Sequence, residues 1–435
     1  MEKFRILTER LFLRSPNINI CFRITIEGNV DKKQFESAMD NICKRHPLLN
    51  CSIEIDKDHN AWFVPNTSHI GIEYYQSEDL PDWQIWYKKT DGIPFNIVHG
   101  PLVKICVIID AGQMEIIILG HHIVSDGIGY LILSKDILLA LDNRLETIPQ
   151  ELLVNNKFKN GNRLGFFSKL YAKKLAKEWR ENRINFSEDE YNRFFQQYRN
   201  TYISRLYINS VDEINLKKIV EKSKTNEMTV NELLTSAFSA AIVMELDNYT
   251  GKAFSVGIVA NTRNELKTKP YYCMENYVTG ISVKINYVSK NSFILNAKSI
   301  ASIMRKRLND VKNRHLVVNF LKEFDSDLIE SIMYACYGDY ELPIPKKIGE
   351  LIEEGTKNKG MGMSNLGRHE FNNYETFKFL DIQFIGPAFP AKLISVYIIT
   401  ANSKLNICLR YNENEIKAEN VKGIYKKTME LLDIN

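Results

Sequence analysis

His121-His122-Ile123-Val124-Ser125-Asp126-Gly127 joins two apolar stretches of different character. Before it, Met114 to Gly120 reads as a strand; after it, Gly127 to about Leu141 reads as a strongly apolar helix. On an extended chain, adjacent side chains point to opposite faces. One histidine is therefore expected to face a cavity while the other packs inward. A neutral imidazole can take a proton from an alcohol, amine or thiol near neutral pH. Asp126 falls at a helix N-terminus, where a carboxylate is favoured. The stretch reads as a general base at the end of a strand, held by the turn that starts a helix.

With 8 His and 21 Gly in 435 residues, H-H-x-x-x-D-G arises by chance in roughly one of a few thousand chains. Two blander readings compete with it. One is a buried structural pair that caps the strand. The other is a metal site, which needs both imidazoles and Asp126 to converge on one point; strand alternation sends His121 and His122 apart and argues against a metal.

The motif resembles the signature of the acyltransferases related to chloramphenicol acetyltransferase. That superfamily includes peptide-synthetase condensation domains, alcohol acetyltransferases, polyketide-associated acyltransferases and the plant BAHD enzymes. Further segments agree in order. Arg45-His46-Pro47-Leu48-Leu49 is similar to the R-H-x-x-L element of condensation domains. Pro94-Phe95-Asn96-Ile97-Val98-His99-Gly100-Pro101-Leu102 resembles their P-F-D-L-x-x-G-P-L segment. Asn276-Tyr277-Val278-Thr279 stands where they have a G-N-F-V-N-like strand opening, and Ser364-Asn365-Leu366-Gly367 resembles the S-N-L-G turn of the alcohol acetyltransferase branch. Departures narrow the branch: there is no D-F-G-W-G near the C-terminus, and Thr8-Glu9-Arg10-Leu11-Phe12 matches the first condensation motif only in part. No adenylation or carrier domain is recognised after the motif segments, so the expectation is a stand-alone protein.

The resemblance implies an α/β (α+β) fold of two chloramphenicol acetyltransferase-like lobes in a V, with the histidine in a central tunnel. Strands followed by helices in both halves of the chain suggest the same two lobes. The expected division is an N-terminal lobe over 1–150, a charged helical connector over 151–200 and a second lobe over 201–435. Within it, the patterning predicts strands at Ile18–Ile26, Phe254–Ala260 and Val278–Ile285, and hairpins Val103–Ile109/Met114–Gly120 and Leu393–Thr400/Leu405–Tyr411. Helices are expected over Asp31–Arg45, Leu233–Leu246, Asn291–Asn313 and Ala418–Leu432. Asp31 with Gln34, Ser210-Val211-Asp212-Glu213 and Thr229 with Glu232 read as N-caps.

The resemblance also assigns roles. His122 is the general base that takes the acceptor's proton during attack on a thioester carbonyl. Asp126 faces away and pairs with an arginine of the other lobe, for which Arg263 is the candidate; a surface arginine is the bland alternative. Gly127 keeps the tunnel open beside the base, and His121 is a packing strut. Backbone N–H groups of the histidine loop, Ser364 or Asn365 are candidates for the oxyanion donor, against an ordinary turn. No tightly bound cofactor and no metal are implied; acyl-CoA or a phosphopantetheine thioester on an acyl or peptidyl carrier protein is the expected co-substrate, and a small alcohol or amine the acceptor.

Composition agrees with a globular chain: 44% hydrophobic and 25% charged residues suffice for a core. A net charge of +4 does not imply nucleic-acid binding. Two basic clusters, Lys173, Lys174, Lys177, Arg180, Arg183 and Arg305, Lys306, Arg307, Lys312, Arg314, read as solvated helix faces or as contacts to coenzyme A phosphates or an acidic carrier. No run reaches membrane-span length and the N-terminus lacks an apolar leader, so a cytoplasmic protein is expected, and since the two lobes that the resemblance implies can complete the site within one chain, a monomer. The seven cysteines, Cys273 among them, form no C-x-x-C pair and read as free thiols; a cysteine nucleophile is a weak rival. The rival from another class is a non-catalytic binding protein on the same fold.

Overall fold

The computed structural model describes residues 3–66, 70–148, 164–267, 274–352, 359–371 and 373–434. Two large sheets organise them. The first has five strands in the order Lys378–Ile385, Asn19–Glu27, Gln113–His121, Val103–Asp110 and Ile72–Gln76. The hairpin Val103–Asp110/Gln113–His121 turns at Ala111-Gly112, with Gly112 at φ +76°. Along its second strand Ile116, Ile117, Ile118 and Leu119 are all buried, so both faces are covered. The helices Lys32–Arg45 and Gly127–Leu141 pack together over this sheet. A small three-stranded sheet, Phe4–Ile6, Ala61–Pro65 and Cys51–Ile55, flanks it.

The second sheet has six strands in the order Val278–Ile285, Phe254–Asn261, Gly360–His369, Lys392–Ala401, Lys404–Asn412 and Ser204–Val211. Gly360–His369 runs parallel to both neighbours; the other pairings are antiparallel. The helix Val230–Glu245 is buried almost all round, as its apolar sequence predicts. It lies between Ala418–Leu431 and Phe293–Asn309. Its Thr229–Glu232 capping box is complete.

The chain division meets one crossing. Lys378–Ile385, within the segment read as the second lobe, adds an edge strand to the first sheet, with Lys378 opposite Glu27 and Ile385 opposite Cys21. Tyr397, Ile399 and Cys408 of the second sheet join the first lobe's core beside it. The segment read as connector, where described, is two helices, Phe166–Glu181 and Glu188–Thr201. They are not merely solvated: Ala172, Leu175, Ala176 and Trp179 on one, and Tyr191, Phe194, Phe195 and Tyr198 on the other, are buried. Their dense charges sit on the opposite faces and mask this periodicity. Residues 151–163 of that segment lie outside the described residues.

Three local expectations change. The helix expected over Asn291–Asn313 stops at Asn309, and Asp310 caps a second helix, Val311–Leu321, by accepting the N–H groups of Lys312 (2.9 Å) and Asn313 (3.4 Å). Asp212, not Ser210, caps Glu213–Thr225. Asp31 accepts the Gln34 N–H, but the Gln34 side chain reaches Leu141 carbonyl instead of closing a capping box.

A buried ion cluster joins the parts. Asp91 ends the helix Trp83–Asp91 of the first lobe. Its carboxylate meets Arg410 of the second sheet (2.9 Å), Arg199 of the Glu188–Thr201 helix (3.0 Å) and Asn19 of the first sheet (2.9 Å). Burial pushes its pKa up, but Arg199, Arg410 and Asn19 outweigh this and hold it below the ordinary carboxylate range. Asp91→Ala leaves Arg410 buried without its anion and is expected to lower stability by about 3–5 kcal/mol in guanidinium unfolding at pH 7. Because the folded-state pKa is depressed, the Asp91 contribution is complete above the unfolded carboxylate range and fades as pH falls through the folded value. The gap between wild type and Asp91→Ala should therefore narrow on acidification.

Candidate active site

The histidine loop is built from the end of the strand Gln113–His121 and the start of the helix Gly127–Leu141. Strand alternation separates the two rings as expected. His121 is buried, its Nδ1 accepts the Ile123 N–H (3.1 Å), and its ring meets Phe95 edge-on with centroids 5.7 Å apart. Burial, and then the neighbouring His122, lower its pKa to about 3, against a weaker opposing effect of the Leu13 backbone. It is a neutral strut near neutral pH.

His122 is held differently. Its ring lies on Phe12, with centroids 4.3 Å apart. Its Nδ1 is 3.1 Å from Asn276 Oδ1, and Asn276 Nδ2 donates to the carbonyls of His122 (2.7 Å) and Ile123 (3.0 Å). Burial lowers the His122 pKa; its own backbone carbonyl, Asp126 and Asn276 pull in the opposite direction without cancelling it. The ring is therefore neutral at pH 7.

Asp126 is fully engaged. Its Oδ1 caps the helix by accepting the Gly129 N–H (2.9 Å), and its Oδ2 accepts from Arg263 Nη1 (2.7 Å) and Tyr277 N–H (2.8 Å). Arg263 Nη2 donates to the Glu275 carbonyl (2.7 Å), to which Ser125 Oγ also donates (3.4 Å). Arg263 is thus the second-lobe partner, buried and not a surface residue. Gly127 lies where the lobes meet: a methyl group there would sit 3.1 Å from both Leu366 Cδ2 and Phe384 Cζ.

Ser364 and Asn365 come close in sequence to that contact but are not joined to the loop by hydrogen bonds. Asn365 Oδ1 accepts the Gly367 N–H (2.9 Å), and its Nδ2 donates to Asn231 (3.3 Å). With Gly367 at φ +87°, the Ser-Asn-Leu-Gly segment is a side-chain-closed turn within a bulged strand. Within the loop, the N–H groups of Ile123 and Val124 donate to His121 Nδ1 and His121 carbonyl.

The other quoted segments brace the loop. Arg45 Nε and His46 Nε2 both lie 2.8 Å from Asp136 Oδ2, so they tie Lys32–Arg45 to the helix that Asp126 caps. Leu102 carbonyl accepts the His121 N–H (2.9 Å). Phe12 and Asn276 are the contacts of His122 that the sequence reading did not single out as site residues. Both lie inside quoted motif segments, and only the fold shows that these reach one imidazole.

Many basic-cluster residues are committed internally. Arg180 and Arg183 pair with Asp325, Arg183 also with Asp327, Arg305 with Glu232 and Arg314 with Glu265. Lys173, Lys174 and Lys177 are exposed. Among the described residues, no three His, Cys, Asp or Glu side chains are grouped as a metal site requires, and no helix is long and apolar enough to cross a membrane. Cys21, Cys43, Cys106 and Cys408 are free thiols whose pKa values burial raises, which suits packing and not nucleophilic attack. Cys273 lies outside the described residues.

Comparison with known proteins fits this architecture. Residues 6–160 match the family model of the condensation domain. Tyrocidine synthase 2 of Brevibacillus parabrevis is 23% identical over 153 residues, 34% of this chain and 4% of that much longer protein. The TRI3 trichothecene 15-O-acetyltransferase from Fusarium sporotrichioides superposes with a TM-score of 0.70 at 13% identity, covering 99% of this chain and 94% of that one. The first condensation domain of the calcium-dependent antibiotic synthetase, in complex with a substrate analogue, gives a TM-score of 0.66 at 10% identity, over 98% and 92%. The protein has the two-lobed chloramphenicol acetyltransferase-like fold that condensation domains and acetyltransferases share. Its first part, residues 6–160, carries the condensation-domain sequence pattern as well.

Arg263→Ala removes the only cation hydrogen-bonded to Asp126 in the described structure. The expected cost is about 3–5 kcal/mol in denaturant unfolding, because a buried carboxylate is left uncompensated. Amide exchange at Gly129 and Tyr277, whose N–H groups bond the same carboxylate, should accelerate in the variant.

Proposed function

We propose that this protein is an acyltransferase that moves an acyl group from a thioester to a hydroxyl or amine, with His122 as general base. The observation that carries the reading is the buried, neutral His122 ring held at the junction of the two lobes by Phe12 and Asn276. A base that is neutral at working pH is ready to accept a proton.

The step balances without a metal or an acyl-enzyme. The acceptor oxygen or nitrogen attacks the thioester carbonyl carbon, and its proton passes to the ring nitrogen turned away from Asn276. The tetrahedral intermediate then expels the thiolate, which takes that proton back from the imidazolium. One C–O or C–N bond forms and one C–S bond breaks. Asp126 orders the loop and does not enter the proton path. Of the candidate oxyanion donors, Ser364 is the one retained, because the polar groups of Asn365 and the N–H groups of Ile123 and Val124 have other partners.

The donor is acyl-CoA in the simplest form of this reading. A second form has specific support: the condensation-domain match over residues 6–160 and the segments at 45–49 and 94–102 favour a thioester carried on the phosphopantetheine arm of a carrier protein. The same chemistry serves both, and only the handle of the donor differs.

Thiol release with product mass, using panels of acyl-CoA and loaded carriers with mixed alcohols and amines, separates the two. Acceptor-dependent release is expected with one donor class, and His122→Ala should lower it by about 10²- to 10⁴-fold. No release from either class, or release untouched by His122→Ala, overturns the reading in favour of a non-catalytic protein or a different base.

The pH dependence has a fixed direction. Since burial lowers the His122 pKa, the base stays unprotonated below the ordinary imidazole range. The acidic limb of kcat/KM for the free enzyme should lie below about pH 6.5, the ordinary value. A limb above that range contradicts the buried, neutral ring.

A further inference from the structure

We infer that Asn276 is a positioning residue that fixes which nitrogen of His122 can act as the base, and that the second lobe thereby sets the working tautomer of the first lobe's histidine. The inference rests on the acyl-transfer reading for its consequence, but its geometry stands apart from it.

An Asn side chain has one accepting oxygen and one donating NH₂ group. The NH₂ of Asn276 donates to two carbonyls, those of His122 and Ile123. Carbonyls only accept, so the amide cannot be flipped without losing both bonds. Its oxygen is therefore the atom facing His122 Nδ1 at 3.1 Å. An oxygen acceptor requires Nδ1 to carry the hydrogen. In a neutral imidazole, Nε2 is then left with the lone pair.

The flanking residues hold Asn276 in that pose. Glu275 carbonyl accepts from Arg263 and Ser125, and Tyr277 N–H donates to Asp126. Three consecutive residues of the second lobe thus grip the histidine loop, and the middle one sets its tautomer. Without this segment, His122 would keep its own backbone carbonyl but lose the Asn276 oxygen that the second lobe sets against Nδ1.

The ionisable groups around His122 are His121 on its own strand, Asp126 with Arg263 at the helix start, Glu275 beside Asn276, and Glu9 just before the Phe12 helix. The carbonyl of His122 itself also favours the protonated ring, and the Asn276 oxygen, 3.1 Å from Nδ1, is the acceptor that the second lobe adds.

The test is ¹⁵N NMR of imidazole-labelled full-length protein, with the His122 signals assigned by their loss in His122→Ala. Wild type should show a protonated Nδ1 and an unprotonated Nε2. In Asn276→Leu the two tautomers should mix, and kcat should fall roughly 10- to 100-fold, a size usual for loss of a residue that orients a functional histidine. Asn276→Asp keeps an acceptor at Nδ1 but adds a negative charge, so the acidic limb of the pH–rate profile should move up by about one unit. Far-UV circular dichroism of both variants checks folding, and Asn276→Ala, which also lacks an acceptor, serves if Asn276→Leu does not fold. A protonated Nε2 in wild type, or an unchanged tautomer in the folded variant that lacks an acceptor at position 276, overturns the inference. If His122→Ala leaves thiol release intact, the acyl-transfer reading fails, while the tautomer measurement, made without substrate, still decides the role of Asn276.

Discussion

The buried carboxylate of Asp126 is the constraint on which the rest of the site depends. It does three things with two oxygens: it caps the helix Gly127–Leu141, pairs with Arg263 and accepts the Tyr277 N–H. A buried ion pair is not favourable merely because it is an ion pair, since desolvation offsets much of the attraction. Here the carboxylate also receives backbone N–H donors from both lobes, which makes burial tolerable and the geometry specific. The histidine loop is thus defined by a residue whose two oxygens are both engaged in holding it. A neutral isostere of Asp126 would keep the shape and lose the charge that Arg263 requires.

The second lock lies elsewhere and serves another purpose. The Asp91 cluster gathers a first-lobe helix, a first-sheet strand, a connector helix and a second-sheet strand on one carboxylate. Arg410 also donates to Gly386 carbonyl, next to the crossover strand Lys378–Ile385. The crossover strand and this cluster therefore fix the two sheets to each other along their length, while Asp126–Arg263 fixes them at the histidine. A third buried tie, Glu330 with Arg10 and Arg14, anchors the short helix that carries Phe12. Each contact of His122 is thus backed by an ion pair one step further out.

Much of this was legible in the sequence, and the limits have physical causes. The strand Val278–Ile285 is found where it is expected, with alternating burial, and the hairpin before the histidines ends within a residue or two of expectation, because its continuous apolar runs are bounded by turn residues. Arg263 could be named as the partner of Asp126 through resemblance, since no local pattern links residues 137 positions apart. Asn276 was quoted as the opening of a strand, yet its amide contacts arise only when that strand is laid against another lobe. The helix break at Asp310 was missed because apolar spacing continues across it; the cap competes with helix continuation and wins through two N–H bonds. The connector's buried face was hidden by composition, as a charged average conceals an amphipathic period.

Two adjacent histidines could have hindered each other, and their environments explain why they do not. If both were charged, they would repel at close range in a poorly solvated site. Burial against Phe95, with Nδ1 occupied by the Ile123 N–H, keeps His121 neutral far below working pH. In the proposed reaction, an imidazolium formed briefly at His122 meets a neutral neighbour on its own strand, with Asp126 and the Asn276 oxygen to stabilise it. In that reading the first histidine contributes by remaining uncharged, and the second cycles between its two states within a fixed frame.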